Sequence, residues 1–396
     1  MPYINFKEEI TAAKQQLQHR RDNNEKLCKK IVYDKSYLTI EPDDKYSFKT
    51  FEKKIINNES TQNEEEFIGI KNENIICSKF IKCKFYNIKF ENCNFVGCTF
   101  IECDFGGGGV IFENCSFLLE EIKNVPSLNK KDNLSCSFER CKIYSKFLSS
   151  DITYLIFQGC YLKNTTFKLT DITSAIIINS QMKKIDIVDA DLSGIKIVNT
   201  YIEDFEFNDK LKTKLDEKSF IDKIQVRRKT KEEYEGIYKV YETIADKFNE
   251  NNLKNNFGEY YYLCKTMQRK SLKKVLPKVI SYIYWLTCGY GERILYPLIS
   301  SLVMAFTFAI LYLVIGLDID GQIISYIWGI GIPETFRAFM SQLNSALNLS
   351  VEVFTGLGSD NATPIPRSYM LCNAEMVVGV IMMGVGIATL SRKLVR

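Results

Sequence analysis

Phenylalanine recurs at every fifth position from Phe80 to Phe105, in the run ICSKF IKCKF YNIKF ENCNF VGCTF IECDF. Two positions before each large residue stands a small or apolar one: Ser78, Cys83, Ile88, Cys93, Cys98 and Cys103. After the glycines at 106–109 the pattern returns at Cys115–Phe117, Cys136–Phe138 and Cys141–Ile143. It then holds unbroken at Ile152, Phe157, Leu162, Phe167, Ile172, Ile177, Met182, Ile187, Leu192, Ile197, Ile202 and Phe207. An α-helix would scatter a five-residue period over all its faces. A half-buried strand would alternate with a period of two. The spacing fits a solenoid in which each pentapeptide forms one side of a coil. The large residue then fills the axis and the small one packs beside it.

The run from 76 to 207 resembles the pentapeptide-repeat family. That resemblance implies a right-handed quadrilateral β-helix with four repeats per coil. The interruptions Gly106–Gly109 and Glu120–Asn133 are expected to form a bulge and a loop outside the coil. A solenoid needs caps, and the charged, helix-like region 1–75 is the expected N-terminal one. Nine of the thirteen cysteines fall between Cys77 and Cys160, most of them in the small slot. A five-residue ladder with no CxxC pair is poor zinc spacing, so these are expected as small buried packing residues. Unpaired thiols in such number point to a reducing compartment, the cytoplasm.

Other chemistry is hard to place. The net charge of +4 over 396 residues is too weak to argue for nucleic acid. Members of the pentapeptide-repeat family that mimic DNA call for a strongly acidic solenoid, whereas 76–207 holds 16 acids against 15 bases. The N-terminus lacks the pattern of a signal peptide. His19 is the only histidine, which argues against a histidine triad or metal site. No Walker loop or dinucleotide fingerprint is present, and the glycines at 106–109 lack the strand–turn–helix context of such motifs. No catalytic residue, enzymatic activity, bound metal or cofactor is expected.

Beyond Asp209 the five-residue period gives way to helical spacing. Ile237, Val240, Tyr241 and Ile244 make one stripe, and Tyr260, Tyr261, Cys264 and Met267 another. Residues 208–278 are therefore expected as a helical hairpin linker with its turn near Asn249–Asn256. Residues 279–293, rich in aromatics and preceded by lysines, suit a membrane interface. The segment 294–317 runs 24 residues without a charge, long enough to cross a bilayer. A second candidate span covers 374–390, with Glu375 as its only charge and SRKLVR following. The connection 318–373 has five acids but only Arg337 and Arg367 as bases. The positive-inside rule then puts both termini in the cytoplasm of a two-span protein of the inner cell membrane.

Between the spans, SQLNSALNLSVEVF reads as a short helix and TGLGSDN as irregular backbone. At membrane depth such backbone is tolerated only when shielded by protein or facing water. The stretch SVEVFTGLGSDNATP resembles potassium-channel pore loops, matching at Ser350, Val351, Phe354, Thr355, Leu357, Gly358, Thr363 and Pro364. CGYGER at 288–293 looks like the junction of bacterial proteins that join pentapeptide repeats to a two-span pore. The resemblance implies an all-α pore domain over 294–396, with pore helix and filter at about 340–361. The implied filter is Thr355, Gly356, Leu357, Gly358, Ser359, Asp360 and Asn361. The implied gate or hinge comprises Gly379, Met382, Met383 and Gly386. It also implies a homotetramer in the lipid bilayer, conducting monovalent or divalent cations. Ser359 and Asp360 replace the family's tyrosine and glycine, so weak potassium preference is expected, with Asp360 ringing the outer mouth. The alternative is a membrane-anchored scaffold that does not conduct. No nucleotide fold, calcium loop or voltage-sensing helix is evident, which leaves the solenoid open to an unknown cytoplasmic ligand or protein.

Overall fold

The computed structural model describes residues 4–56, 67–106, 109–119, 134–357 and 362–394. The chain divides into two compact units, Met1–Ser271 and Leu272–Arg396. The expected bulge and loop at Gly106–Gly109 and Glu120–Asn133 fall largely outside the described residues.

The first unit is a parallel-strand β-solenoid of about seven turns over residues 68–221. Phe80 pairs with Phe100, Phe157 with Ile177, and Ile177 with Ile197. This twenty-residue register, repeated by the Asn94 to Asn74 side-chain bond across 20 positions, is four pentapeptides per coil. Aromatic rings of successive coils stack along the axis. Phe51, Phe80, Phe100, Phe138 and Phe157 form one column with centroids 5.1, 4.9, 4.6 and 5.3 Å apart. Each ring thus gains both buried area and offset stacking.

Many of the small slots hold a hydrogen-bond donor as well as a small volume. Cys98 Sγ donates to the Ile75 carbonyl at 3.1 Å, Cys141 Sγ to that of Phe100 at 3.3 Å, and Cys160 Sγ to that of Phe138 at 3.2 Å. Where no cysteine is available, Ser150 reaches Phe112 O at 3.1 Å and Thr170 reaches Phe147 O at 2.9 Å. The eight ladder cysteines from Cys83 to Cys160 are at most 2% exposed. The corner of each coil, three positions before the large residue, is left-handed, with φ of 54° at Lys82, 48° at Asn87, 54° at Asn92 and 62° at Gly97. Asparagine and glycine recur there because that conformation is costly for other residues.

Two boundaries and one placement differ from the sequence reading. The coil begins within 1–75, where Thr50–Glu52 pairs with Lys79–Ile81. It ends beyond Phe207, because Phe220–Ile221 pairs with Lys196–Ile197. The chain between Phe207 and Phe220 is longer than one coil side needs, and that surplus hid the last strand.

The third difference concerns helix α1 (Phe6–Tyr33), which runs along the side of the solenoid instead of plugging its end. Ala13 and Leu17 pack on Ile156, Ile176, Ile178, Val198 and Phe220, while Leu27 and Ile31 pack on Ile76, Val96 and Leu134. These outward residues would otherwise expose a contiguous apolar face. Polar contacts fix the helix in place: Asn24 Nδ2 donates to Ser135 O at 3.0 Å, and Lys196 Nζ meets Glu9 at 2.5 Å.

Helices α2 (Lys231–Glu250) and α3 (Lys254–Ser271), within the segment 208–278 read as a helical hairpin linker, cap the C-terminal coil with their apolar stripes. Ile237, Val240, Tyr241, Ile244, Phe248 and Tyr260 join the same core as the axial residues. Below the cap, Lys247 Nζ lies 2.8 Å from Asp209, and both side chains are at least nine-tenths buried. Burial works to raise the Asp209 pKa. Hydrogen bonds from Lys247, from the Thr213 hydroxyl and amide, and from the Asp189 amide outweigh it and hold the group at about 2. Because the folded value lies below the ordinary one, the stabilisation is complete above about pH 4. It is lost as pH falls toward 2 and amounts to about 2 kcal/mol. Denaturant unfolding between pH 6 and 2 should show that loss, and Lys247→Met should flatten it. An unchanged pH profile in Lys247→Met would contradict the assignment.

Candidate functional site

The second unit carries two helices long and apolar enough to cross a membrane, α5 (Leu295–Ile315) and the segment Pro366–Leu394 that includes α7 (Tyr369–Leu394). Helix α4 (Val275–Cys288) precedes them, and α6 (Phe336–Thr355) lies between them in sequence. Leu298, Leu302, Val303 and Phe306 on α5 and Val377, Val380 and Ile381 on α7 are exposed. In water such faces would be costly; against lipid or further subunits they are not.

Helix α6 begins at Thr335, whose hydroxyl accepts from Ala338 N at 3.2 Å, and ends at Gly356, left-handed with φ 72°. Thr355 is its last residue, and its hydroxyl lies 2.7 Å from Val351 O and accepts from Leu357 N at 3.2 Å. Leu357 is exposed. Gly358, Ser359, Asp360 and Asn361 lie outside the described residues.

Where the chain resumes, Ala362–Pro364 pairs antiparallel with Leu317–Ile319, which also pairs with Gln322–Ile324. The sequence reading missed this small sheet. Its signal was Asp320-Gly321, both left-handed at φ 51° and 82°, the two-residue turn of a tight hairpin. Gly356 is thereby set by the end of a helix and Ala362 by a strand.

A fully buried polar knot joins three helices. Tyr312 on α5 donates to Glu375 Oε2 on α7 at 2.7 Å. Ser350 on α6 is hydrogen-bonded to Glu375 Oε1 and reaches Ala305 O on α5 at 2.7 Å. Burial of all three side chains makes each bond expensive to break. Tyr312 and Ser350 carry no signal of this role in the sequence. Glu375 does, as the lone charge in an apolar run.

Of the residues expected as gate or hinge, Gly379 is in the tightest place. A Cβ built there would stand 2.2 Å from the Phe354 carbonyl oxygen and 2.9 Å from its carbon. The backbone of α6 packs directly against this glycine. Met382 is buried, Met383 is exposed, and a Cβ on Gly386 would meet Pro297 at 3.9 Å. A cavity of about 510 Å³ brings Thr355 and Gly356 together with Val380 and Met383. Gly379, Met382 and Gly386 do not line it. Glu352 does, and its Oε2 is buried without a hydrogen-bond partner among the described residues.

At the other end of the spans, the turn Gly289–Gly291 is left-handed throughout, with φ of 53°, 58° and 77°. It delivers Glu292, 1% exposed, to Arg392 at 3.1 Å and Lys393 at 3.2 Å. The GYGER and SRK motifs therefore meet as one charge cluster joining the start of α5 to the end of α7. Among the described residues, no group of His, Cys, Asp or Glu is arranged to hold a metal ion.

Residues 80–118 match the family of pentapeptide repeats (9 copies). Similar solved structures include full-length QnrB1, a plasmid-mediated fluoroquinolone resistance protein, at 14% identity over 46% of this chain and 92% of that one, with TM-score 0.18. Its trypsin-treated form matches at 14% identity over 42% and 91%, with TM-score 0.20. A pentapeptide repeat protein from the cyanobacterium Cyanothece 51142 matches at 9% identity over 45% and 88%, with TM-score 0.12. No curated protein matches the chain.

Proposed function

We propose that this chain, with its pentapeptide-repeat solenoid, is one subunit of a tetrameric cation channel whose ion path runs through Thr355–Asn361. The supporting observation is the way the chain on either side of 358–361 is held. Helix α6 ends at a left-handed glycine, its backbone rests on Gly379, and the return strand is clamped to Leu317–Ile319. Both anchors lie between two helices of membrane-spanning length. A bare two-span anchor has no use for a glycine-bearing polar stretch between two such anchors. Four copies around one axis let four equivalent loops surround one ion with carbonyls, as in this channel type. Both termini and the solenoid face the cytoplasm, and the filter admits monovalent and divalent cations with little potassium preference.

Purified protein in liposomes, assayed for sodium, potassium and calcium flux, tests this reading. Carboxylates about 8 Å apart at an effective dielectric near 20 repel by roughly 2 kcal/mol. A ring of four Asp360 side chains is relieved by holding cations. Asp360→Asn should therefore lower flux at low salt by about tenfold, and by less as salt screens the ring. Tetrameric mass in detergent is expected alongside. Absence of flux from correctly assembled protein would leave the membrane-anchored scaffold as the reading.

A further inference from the structure

We propose that Cys28 and Cys77 are a modification site, a dithiol that a hydroperoxide converts to a disulfide fastening α1 to the wall of the solenoid. Of the thirteen cysteines, these two alone are only part-buried. Their sulfurs lie 3.0 Å apart although the residues are 49 positions apart in sequence. Neither belongs to the axial ladder. Cys77 occupies a left-handed corner, φ 49°, which turns its side chain away from the axis. Cys28 sits in the C-terminal half of α1 and is brought to that corner by the packing of Leu27 and Ile31 on Ile76, Val96 and Leu134.

The neighbouring coil makes room for the sulfur. Gly97 holds the corner one coil beyond Cys77, and a Cβ there would stand 2.7 Å from Cys28 Sγ. A groove of about 810 Å³ opens beside the pair, lined by both cysteines together with Arg21, Lys29 and Lys79. A small oxidant therefore reaches these sulfurs, whereas the ladder thiols are sealed in the core. A disulfide needs about 2.05 Å between sulfurs, so the pair closes by roughly 1 Å with α1 already docked. In this contact Cys77 Sγ is the donor and Cys28 Sγ the acceptor, so Cys28 is assigned as the sulfur that attacks first.

The steps balance with hydrogen peroxide as oxidant. Cys28 sulfur attacks one peroxide oxygen, the S–O bond forms as the O–O bond breaks, and a water leaves. Cys77 sulfur then attacks the sulfenic sulfur, the S–S bond forms as the S–O bond breaks, and a second water carries off the oxygen. Two thiols are oxidised and one peroxide is reduced. The bond closes a ring through residues 28 to 77, which keeps α1 over the apolar outer face.

The test uses the full chain in detergent, exposed to hydrogen peroxide, alkylated and digested with trypsin. Peptides Leu27–Lys29 and Asn72–Lys79 are expected as one linked species, two hydrogens lighter than their sum, and separated again by dithiothreitol. Ladder thiols should remain reduced. Trypsin cleavage within α1 should slow by about tenfold after oxidation, and Cys28→Ser and Cys77→Ala should each abolish that protection. Oxidation of Cys28 to sulfinic acid with no linked species, or linkage of Cys28 to Cys98 instead, would overturn the proposal. The linkage map of the parent protein decides the matter even if a variant folds poorly.

Discussion

Replacing Gly379 with alanine is expected to cost the C-terminal unit about 3 kcal/mol and to release the end of α6 from α7. The added methyl would meet the Phe354 carbonyl at 2.2 Å, and the nearest atoms are backbone, which cannot rotate away. The only relief is to move Phe354 itself, and with it Thr355 and Gly356 at the start of the loop. Gly384 provides the control, since a Cβ there meets nothing within 4 Å. Gly384→Ala should be neutral or slightly stabilising, because alanine is the better helix former. Thermal unfolding of the detergent-solubilised protein, read with protease resistance of residues 272–394, separates the two. The resemblance to potassium channels made Gly379 a hinge, but its surroundings make it first a place of close approach. An unchanged unfolding midpoint with altered ion flux would favour the hinge and remove the packing argument.

The axis of the solenoid was legible because a five-residue period has no competing explanation among helices and simple strands. Phe80, Phe100 and Phe157 sit where that period puts them. A donor role at many small slots was also open to inference, since cysteine, serine and threonine take most of them, while Ala175, Ala190 and Ile88 fill others by volume alone. What escaped was whatever depended on two distant segments meeting. Ile156, Ile176, Ile178 and Val198 lie on outward positions, and their apolar character signalled a cover without saying that α1 supplies it. The strand Phe220–Ile221 was hidden by added residues that broke the spacing.

In the second unit, the helix–loop–return plan followed from breakers and hydropathy. The ties that hold it did not. The knot of Tyr312, Ser350 and Glu375 joins residues up to 63 positions apart, and no local pattern encodes such a bond. Asp320-Gly321 was the exception, a hairpin signal present in the sequence and passed over.

Loss of a single hydroxyl at Tyr260 is expected to loosen the C-terminal end of the solenoid. A β-helix ends in a strand whose outer backbone groups have no further coil to pair with, and such an edge invites aggregation. Here Tyr260 OH accepts from Ile221 N at 2.8 Å and donates to Ile221 O at 2.9 Å, serving both groups of one edge residue. Tyr241 OH accepts from Ile224 N at 2.7 Å and continues the cover. Both tyrosines are fully buried, so no water replaces them. Tyr260→Phe keeps the ring, including its stacking on Phe248 at 5.0 Å, and leaves two buried backbone groups unpaired. The cost should be about 2–4 kcal/mol. Tyr260→Ala adds a cavity beneath α3 and should cost about 5 kcal/mol. Denaturant unfolding measures both, and light scattering during the transition should rise as the edge of Phe220–Ile221 is uncovered. If Tyr260→Phe unfolds at the parent's midpoint, the hydroxyl is not what terminates the sheet, and the cap acts through apolar packing alone.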